Sequence, residues 1–100
     1  MSKYGLFGKF IAKDGECDTL VSILLEAASS MEKLENCEVY HVSVSTTEPN
    51  TVFVYEIWKD ENAHKASLLF EETKMLIQRA KPIIQGAERI STFKPKGGKL

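Results

Sequence analysis

TVFVYEIW, running from Thr51 to Trp58, decides the fold. Read as a strand, it sends Val52, Val54, Glu56 and Trp58 to one side and Phe53, Tyr55 and Ile57 to the other, because side chains alternate along an extended chain. Both faces are therefore largely apolar, and one carries a carboxylate two residues before the only tryptophan. A chain of 100 residues has room for one small core. One face of this strand fits such a core; the other needs a second cover.

The flanking sequence supplies the first cover. Tyr4 to Ala12 has strand length and aromatic content, weakened by Gly5 and Gly8. Lys13-Asp14-Gly15 is turn chemistry. From about Glu16 to Glu35, Leu20, Val21, Leu24, Ala27, Ala28, Met31 and Leu34 recur at spacings of three and four, which predicts an amphipathic helix. Asn36 then offers a cheap left-handed residue to end it. Glu38 to Thr46 reads as a second strand, and the turn Thr47-Glu48-Pro49-Asn50 joins it to the opening stretch as an antiparallel hairpin. Asp60 is an N-cap candidate for a helix over 61–70. A further helix over 71–81 stops near Pro82, and Gly86 to Phe93 is the last strand.

Strand, helix, strand, strand, helix, strand is the order of a ferredoxin-like α+β fold: a four-stranded antiparallel sheet with helices on one face. The bare face would leave Phe53, Tyr55 and Ile57 in water. Burying each such side chain is worth roughly 1.5–3 kcal/mol, so an apolar patch of this kind marks a partner surface. A homodimer, sheet face against sheet face, is the expected partner.

Composition narrows the function. A net charge of −1 with no long basic run gives no nucleic-acid footprint. No apolar run approaches the roughly 20 residues of a membrane span, and the start MSKYGLFGKF lacks a secretory signal pattern, so a cytoplasmic protein is expected. Cys17 and Cys37 then fit reduced thiols. Their spacing matches no zinc pattern, and no metal is expected. No Gly-rich phosphate loop follows a strand and opens a helix.

The residues now assembled carry a resemblance. Gly15 before a Leu- and Ala-rich helix, Cys37 at the start of the second strand, and above all TVFVYEIWKDENA, with Glu56-x-Trp58 followed by Asp60 and Ala63, resemble the antibiotic biosynthesis monooxygenase family of dimeric α+β barrel proteins. The similarity spans almost the whole chain, so a single domain over residues 4–95 is expected, followed by a flexible tail over 96–100. The resemblance implies a dimer whose sheets close into a barrel, with a pocket between sheet and helices in each subunit. Some members oxidise aromatic quinols or anthrones with O₂ and neither metal nor flavin, so no cofactor is expected. Others degrade haem, and relatives isomerise or process small signalling molecules. Family members commonly carry a His nine residues after the tryptophan, where this chain has Ser67, with His64 one helical turn earlier. Ser67 is not a haem ligand, and the first strand lacks the Asn of the haem-degrading branch.

The expected site follows from the resemblance and from residue chemistry. Trp58 either orients an aromatic substrate by stacking or is core. Glu56 is either a general base or part of a structural ion pair, with Arg89 as the candidate cation. His64 has the titration range to take a phenolic proton if it faces the pocket. Ser67, Arg89, Phe7 and His41 complete the candidate substrate-binding set. His41 shares parity with Val39 and Ser43, on the barrel interface or under the helices. The leading expectation is a cofactor-independent monooxygenase acting on a small aromatic or quinol-like molecule. The alternative is a non-catalytic dimer binding a small apolar ligand, or isomerase-type processing of a signalling metabolite. The discriminator is whether Glu56 and His64 converge on the pocket beside Trp58.

Overall fold

The computed structural model describes residues 2–99; Met1, and Leu100 at the end of the expected tail, lie outside the described residues. The hairpin strands form as read, β2 over Cys37–Val44 and β3 over Thr51–Trp58. Ser45 turns the corner, its Oγ accepting the Thr47 and Glu48 N–H groups at 3.2 and 2.9 Å. The left-handed residue is Asn50, at φ 58°, in this hairpin. It is not Asn36, because α1 (Cys17–Met31) stops earlier than the apolar spacing indicates. Short-range bonds from Leu34 N to Met31 O and from Cys37 N to Leu34 O then take over, and Asn36 contributes its carbonyl to Lys59 N instead.

β1 (Tyr4–Ala12) and β4 (Ile84–Phe93) complete a sheet of order β2-β3-β1-β4, antiparallel throughout. This is the ferredoxin-like arrangement. The sheet does not close on itself, so a barrel belongs to the level of two chains. Helices α1, α2 (Glu61–Ser67) and α3 (Glu71–Ala80) pack on one face. Leu20, Ile23 and Leu24 of α1 pack with Val52 and Val54 of β3 and Ala12 of β1, and Ala27 and Met31 continue the buried stripe. Trp58, Leu20 and Val52 are the largest fully buried side chains.

Two shorter features place the site. Asp60 caps α2 as expected, its Oδ1 accepting the Ala63 N–H at 2.7 Å. The helix ends at Ser67, not Phe70: Leu68, Leu69 and Phe70 N–H groups bond three residues back, which tightens the last turn, and Phe70 is already extended ahead of α3. Among the described residues no helix is long and apolar enough to cross a membrane.

The opposite face carries Phe7, Phe53, Tyr55 and Phe93. Phe7 stacks on Phe53 at 5.5 Å between centroids, and Tyr55 lies 5.2 Å from Phe93. Gly5 permits this: the Phe93 ring occupies the space a Cβ there would need. Tyr55 keeps 40% of its surface exposed and Phe53 is half-buried, but Ile57, expected in water, is already buried within the single chain.

Candidate functional site

A cavity of about 560 Å³ lies between the helix-side face of the sheet and α1, α2 and α3. Its walls are mostly apolar: Leu6 and Phe10 from β1, Leu24 and Ala27 from α1, Leu76 and Ala80 from α3. Its polar lining includes Glu56 and Tyr40 from the sheet and His64 and Ser67 from α2. Arg89 of β4 also borders it.

The alternation of β3 sends Glu56 inward, where its side chain keeps only 12% exposure. The Trp58 indole N–H donates to Glu56 Oε1 at 2.9 Å. The Asp60 cap starts α2 so that His64, one turn in, comes back over the strand end. Its Nε2 stands 3.9 Å from the same Oε1. The His64 ring packs edge-on against Trp58 at 5.6 Å and lies 5.7 Å from Tyr4.

Burial raises the Glu56 pKa from its ordinary value, and the Trp58 N–H and the Arg89 charge hold part of that rise back. Burial lowers the His64 pKa, with Arg89 acting in the same direction and Glu61 against it. His64 is therefore an uncharged imidazole near neutral pH, and its approach to Glu56 is not an ion pair there. Burial and the Glu56 charge push the Tyr40 phenol well above its usual range, so it stays a donor. The same two causes lift the Cys37 thiol to about 11, which leaves it inert as a nucleophile.

The structure brings together Glu56, His64, Ser67 and Arg89 of the expected set. Arg89 makes no ion pair with Glu56 among the described residues; it acts on the site through its field. Ser67 is buried in the cavity lining and donates its hydroxyl to the His64 carbonyl at 2.6 Å. Trp58 is 1% exposed and does not border the cavity, so it is no stacking wall; it stands behind Glu56 and holds it. Phe7 and His41 do not join this set at the cavity. Both pair with Tyr55 of β3, which puts them on the opposite face of the sheet, away from the cavity. Tyr40 was missed. It pairs directly with Glu56 across the β2–β3 ladder, and an aromatic residue of opposite parity to His41 was the available signal. Among the described residues no three His, Cys, Asp or Glu side chains gather as metal ligands.

A ferredoxin-like sheet with a carboxylate and an imidazole buried together under its helices defines the class: a small α+β protein built around an internal site. Within that class the chain belongs to the antibiotic biosynthesis monooxygenase family, whose model matches residues 4–74. A provisionally named antibiotic biosynthesis monooxygenase from Chloroflexus aurantiacus J-10-fl is 34% identical, with 99% of this chain and 98% of that one aligned at a TM-score of 0.84. SO0527 from Shewanella oneidensis aligns over 94% of this chain and 91% of its own at TM-score 0.85 and 18% identity. PA3566 from Pseudomonas aeruginosa aligns over 97% of each chain at TM-score 0.86 and 13% identity. These last two share the fold alone. No curated protein matches the sequence.

Proposed function

We propose that the protein is a cofactor-independent monooxygenase acting on a small aromatic or quinol-like molecule. The observation that carries this reading is the convergence of Glu56 and His64, 3.9 Å apart, at the polar lining of an apolar cavity. A purely structural carboxylate would sit better outside such a space, where burial does not disfavour its charge. Had both groups turned away from the cavity, a ligand-binding role without catalysis would be the better account; both line it, which supports the catalytic reading.

In this reading Glu56 takes the proton of a substrate hydroxyl through Oε2, the oxygen that Trp58 leaves free. A carboxylate whose pKa is raised is a stronger base than a solvated one. His64 supplies a neutral nitrogen beside it, and Arg89 favours the substrate anion electrostatically. That anion is electron-rich enough to reduce O₂ directly. For a methylene-bearing anthrone the balance is one CH₂ and one O₂ giving one C=O and one H₂O, with all four electrons drawn from substrate. The apolar walls keep water from the reactive intermediate.

We further propose that the chain works as a homodimer through the face bearing Phe53, Tyr55 and Ile57. The aromatic cluster there and the 40% exposure of Tyr55 support this.

Oxygen uptake by purified protein with a panel of anthrones and hydroquinones tests the reading, beside Glu56→Gln, which keeps the shape and removes the base. Uptake should rise with pH as Glu56 ionises, from above its ordinary value of 4.5, and fall by about 10²-fold or more in the variant. No uptake above the spontaneous rate, or uptake unchanged in Glu56→Gln, overturns it.

A further inference from the structure

Tyr40 lines the cavity beside Glu56, and the proposed reaction gives its hydroxyl no task. It pairs with Glu56 across the two strands, and residues directly opposite in an antiparallel ladder hold their Cβ atoms about 4.5–5.5 Å apart on one face. Among the described residues the Tyr40 hydroxyl makes no hydrogen bond, and Glu56 Oε2 makes none either, since both the Trp58 bond and the His64 approach use Oε1. Among the described residues no fully buried side-chain polar atom lacks a partner. The two free atoms therefore reach open space, and both residues line the cavity.

We infer that Tyr40 and Glu56 form a two-point clamp for one hydroxyl oxygen of an uncharged, apolar ligand, a phenol or an enol. The clamp rests on reading the cavity as the substrate site and specifies what that site selects. The Tyr40 O–H donates to the ligand oxygen while Glu56 Oε2 accepts the ligand's own O–H. A phenol satisfies both at once. Its methyl ether has no proton for Glu56, and the methyl group set against the carboxylate holds the ether oxygen back from Tyr40, so the ether satisfies neither group, which a polar site penalises more than an apolar one does. Tyr40 stays a donor across the physiological range because burial and the Glu56 charge oppose its ionisation. When Glu56 removes the proton, the same Tyr40 O–H remains on the oxygen that has become an anion.

Calorimetric titration near neutral pH with 1-naphthol and 1-methoxynaphthalene tests the clamp without any turnover. Wild type should bind 1-naphthol about tenfold more tightly than the ether. Tyr40→Phe, with its folded state checked by circular dichroism, should bring 1-naphthol to within about threefold of the ether and move the ether itself less than threefold. Equal affinities in wild type overturn the clamp, and so does absence of naphthol binding at millimolar concentration. Those two results need no variant, so a misfolded Tyr40→Phe does not shelter the proposal. Equal weakening of both probes in a folded variant also overturns it, because that is lost packing. Oxygen uptake judges the oxygenase reading separately: naphthol preference without uptake overturns that reading and supports the clamp.

Discussion

Replacing Trp58 by Phe removes one indole N–H from a site that is 1% exposed and leaves an aromatic ring in its place. That N–H is the only side-chain donor on Glu56 Oε1, at 2.9 Å, among the described residues. A hydrogen bond to a charged group contributes about 1.5–3 kcal/mol, against about 0.5–1.5 kcal/mol for a neutral one. The smaller ring costs about 1 kcal/mol more, independent of pH. Trp58→Phe should therefore lose about 1.5–2.5 kcal/mol where Glu56 is protonated and about 2.5–4 kcal/mol where it is ionised. The sign follows from linkage. Burial already raises the folded-state pKa of Glu56, so its share of stability is complete below the ordinary value of 4.5 and declines as pH rises through the folded value. Deleting the N–H raises that pKa further and steepens the decline. Urea unfolding followed by circular dichroism, at fixed protein concentration and from pH 4.5 to 8, measures both proteins. A gap that widens by about 1 kcal/mol with pH is expected; a constant gap refutes the coupling between Trp58 and Glu56.

Three other substitutions have defined outcomes. Gly5→Ala should destabilise by about 1–3 kcal/mol, because its Cβ meets the Phe93 ring, and Phe93→Leu in the same chain should recover part of the loss. Thermal melts of the single and double variants decide it. Tyr55→Glu should convert a dimer to a folded monomer in sedimentation equilibrium, since it places a charge in the open-face aromatic cluster; an unchanged mass refutes that interface. Asp60→Ala should cost about 1 kcal/mol by urea unfolding through loss of the Ala63 cap. If the cap also positions His64, the variant's His64 titration by NMR moves toward the ordinary 6.5.

Much of this was legible in the sequence because β3 is regular. Eight residues alternate without a break, so Glu56 and Trp58 share the helix-side face as read and Tyr55 opposes them. The Asp60 cap and the α1 stripe were legible for the same reason: each is a local rule acting over a few residues. Faces on β2 were not. Cys37 pairs with Trp58, yet Val39, two residues on, pairs with Ile57 on the other side, because an irregularity intervenes. Counting parity from the strand start therefore leaves Tyr40 and His41 undecided, and the cavity residue was passed over for its neighbour. β4 shifts register against β1 between Phe7 and Gly8, so Arg89 could be named but not oriented. Trp58 stays open in the sequence between stacking wall and core, because strand parity shows which face a side chain takes and not how deep it lies. Its depth comes from His64 and Tyr4 closing over it, contacts made from other elements.

The two-sidedness of β3 also constrains how this chain can diverge. Substitution at Val54 or Glu56 alters the cavity and leaves the aromatic face untouched, while substitution at Phe53 or Tyr55 does the reverse. The two surfaces are free to evolve separately, residue by residue. Insertion or deletion of a single residue inside Thr51–Trp58 is different. With a side-chain period of two, it would carry Glu56 out and Tyr55 in, exchanging the two surfaces in one step. Length changes between relatives should therefore collect in the Ser45–Asn50 turn and stay out of the strand, so that β3 behaves as a reading frame for two functions written on alternate letters.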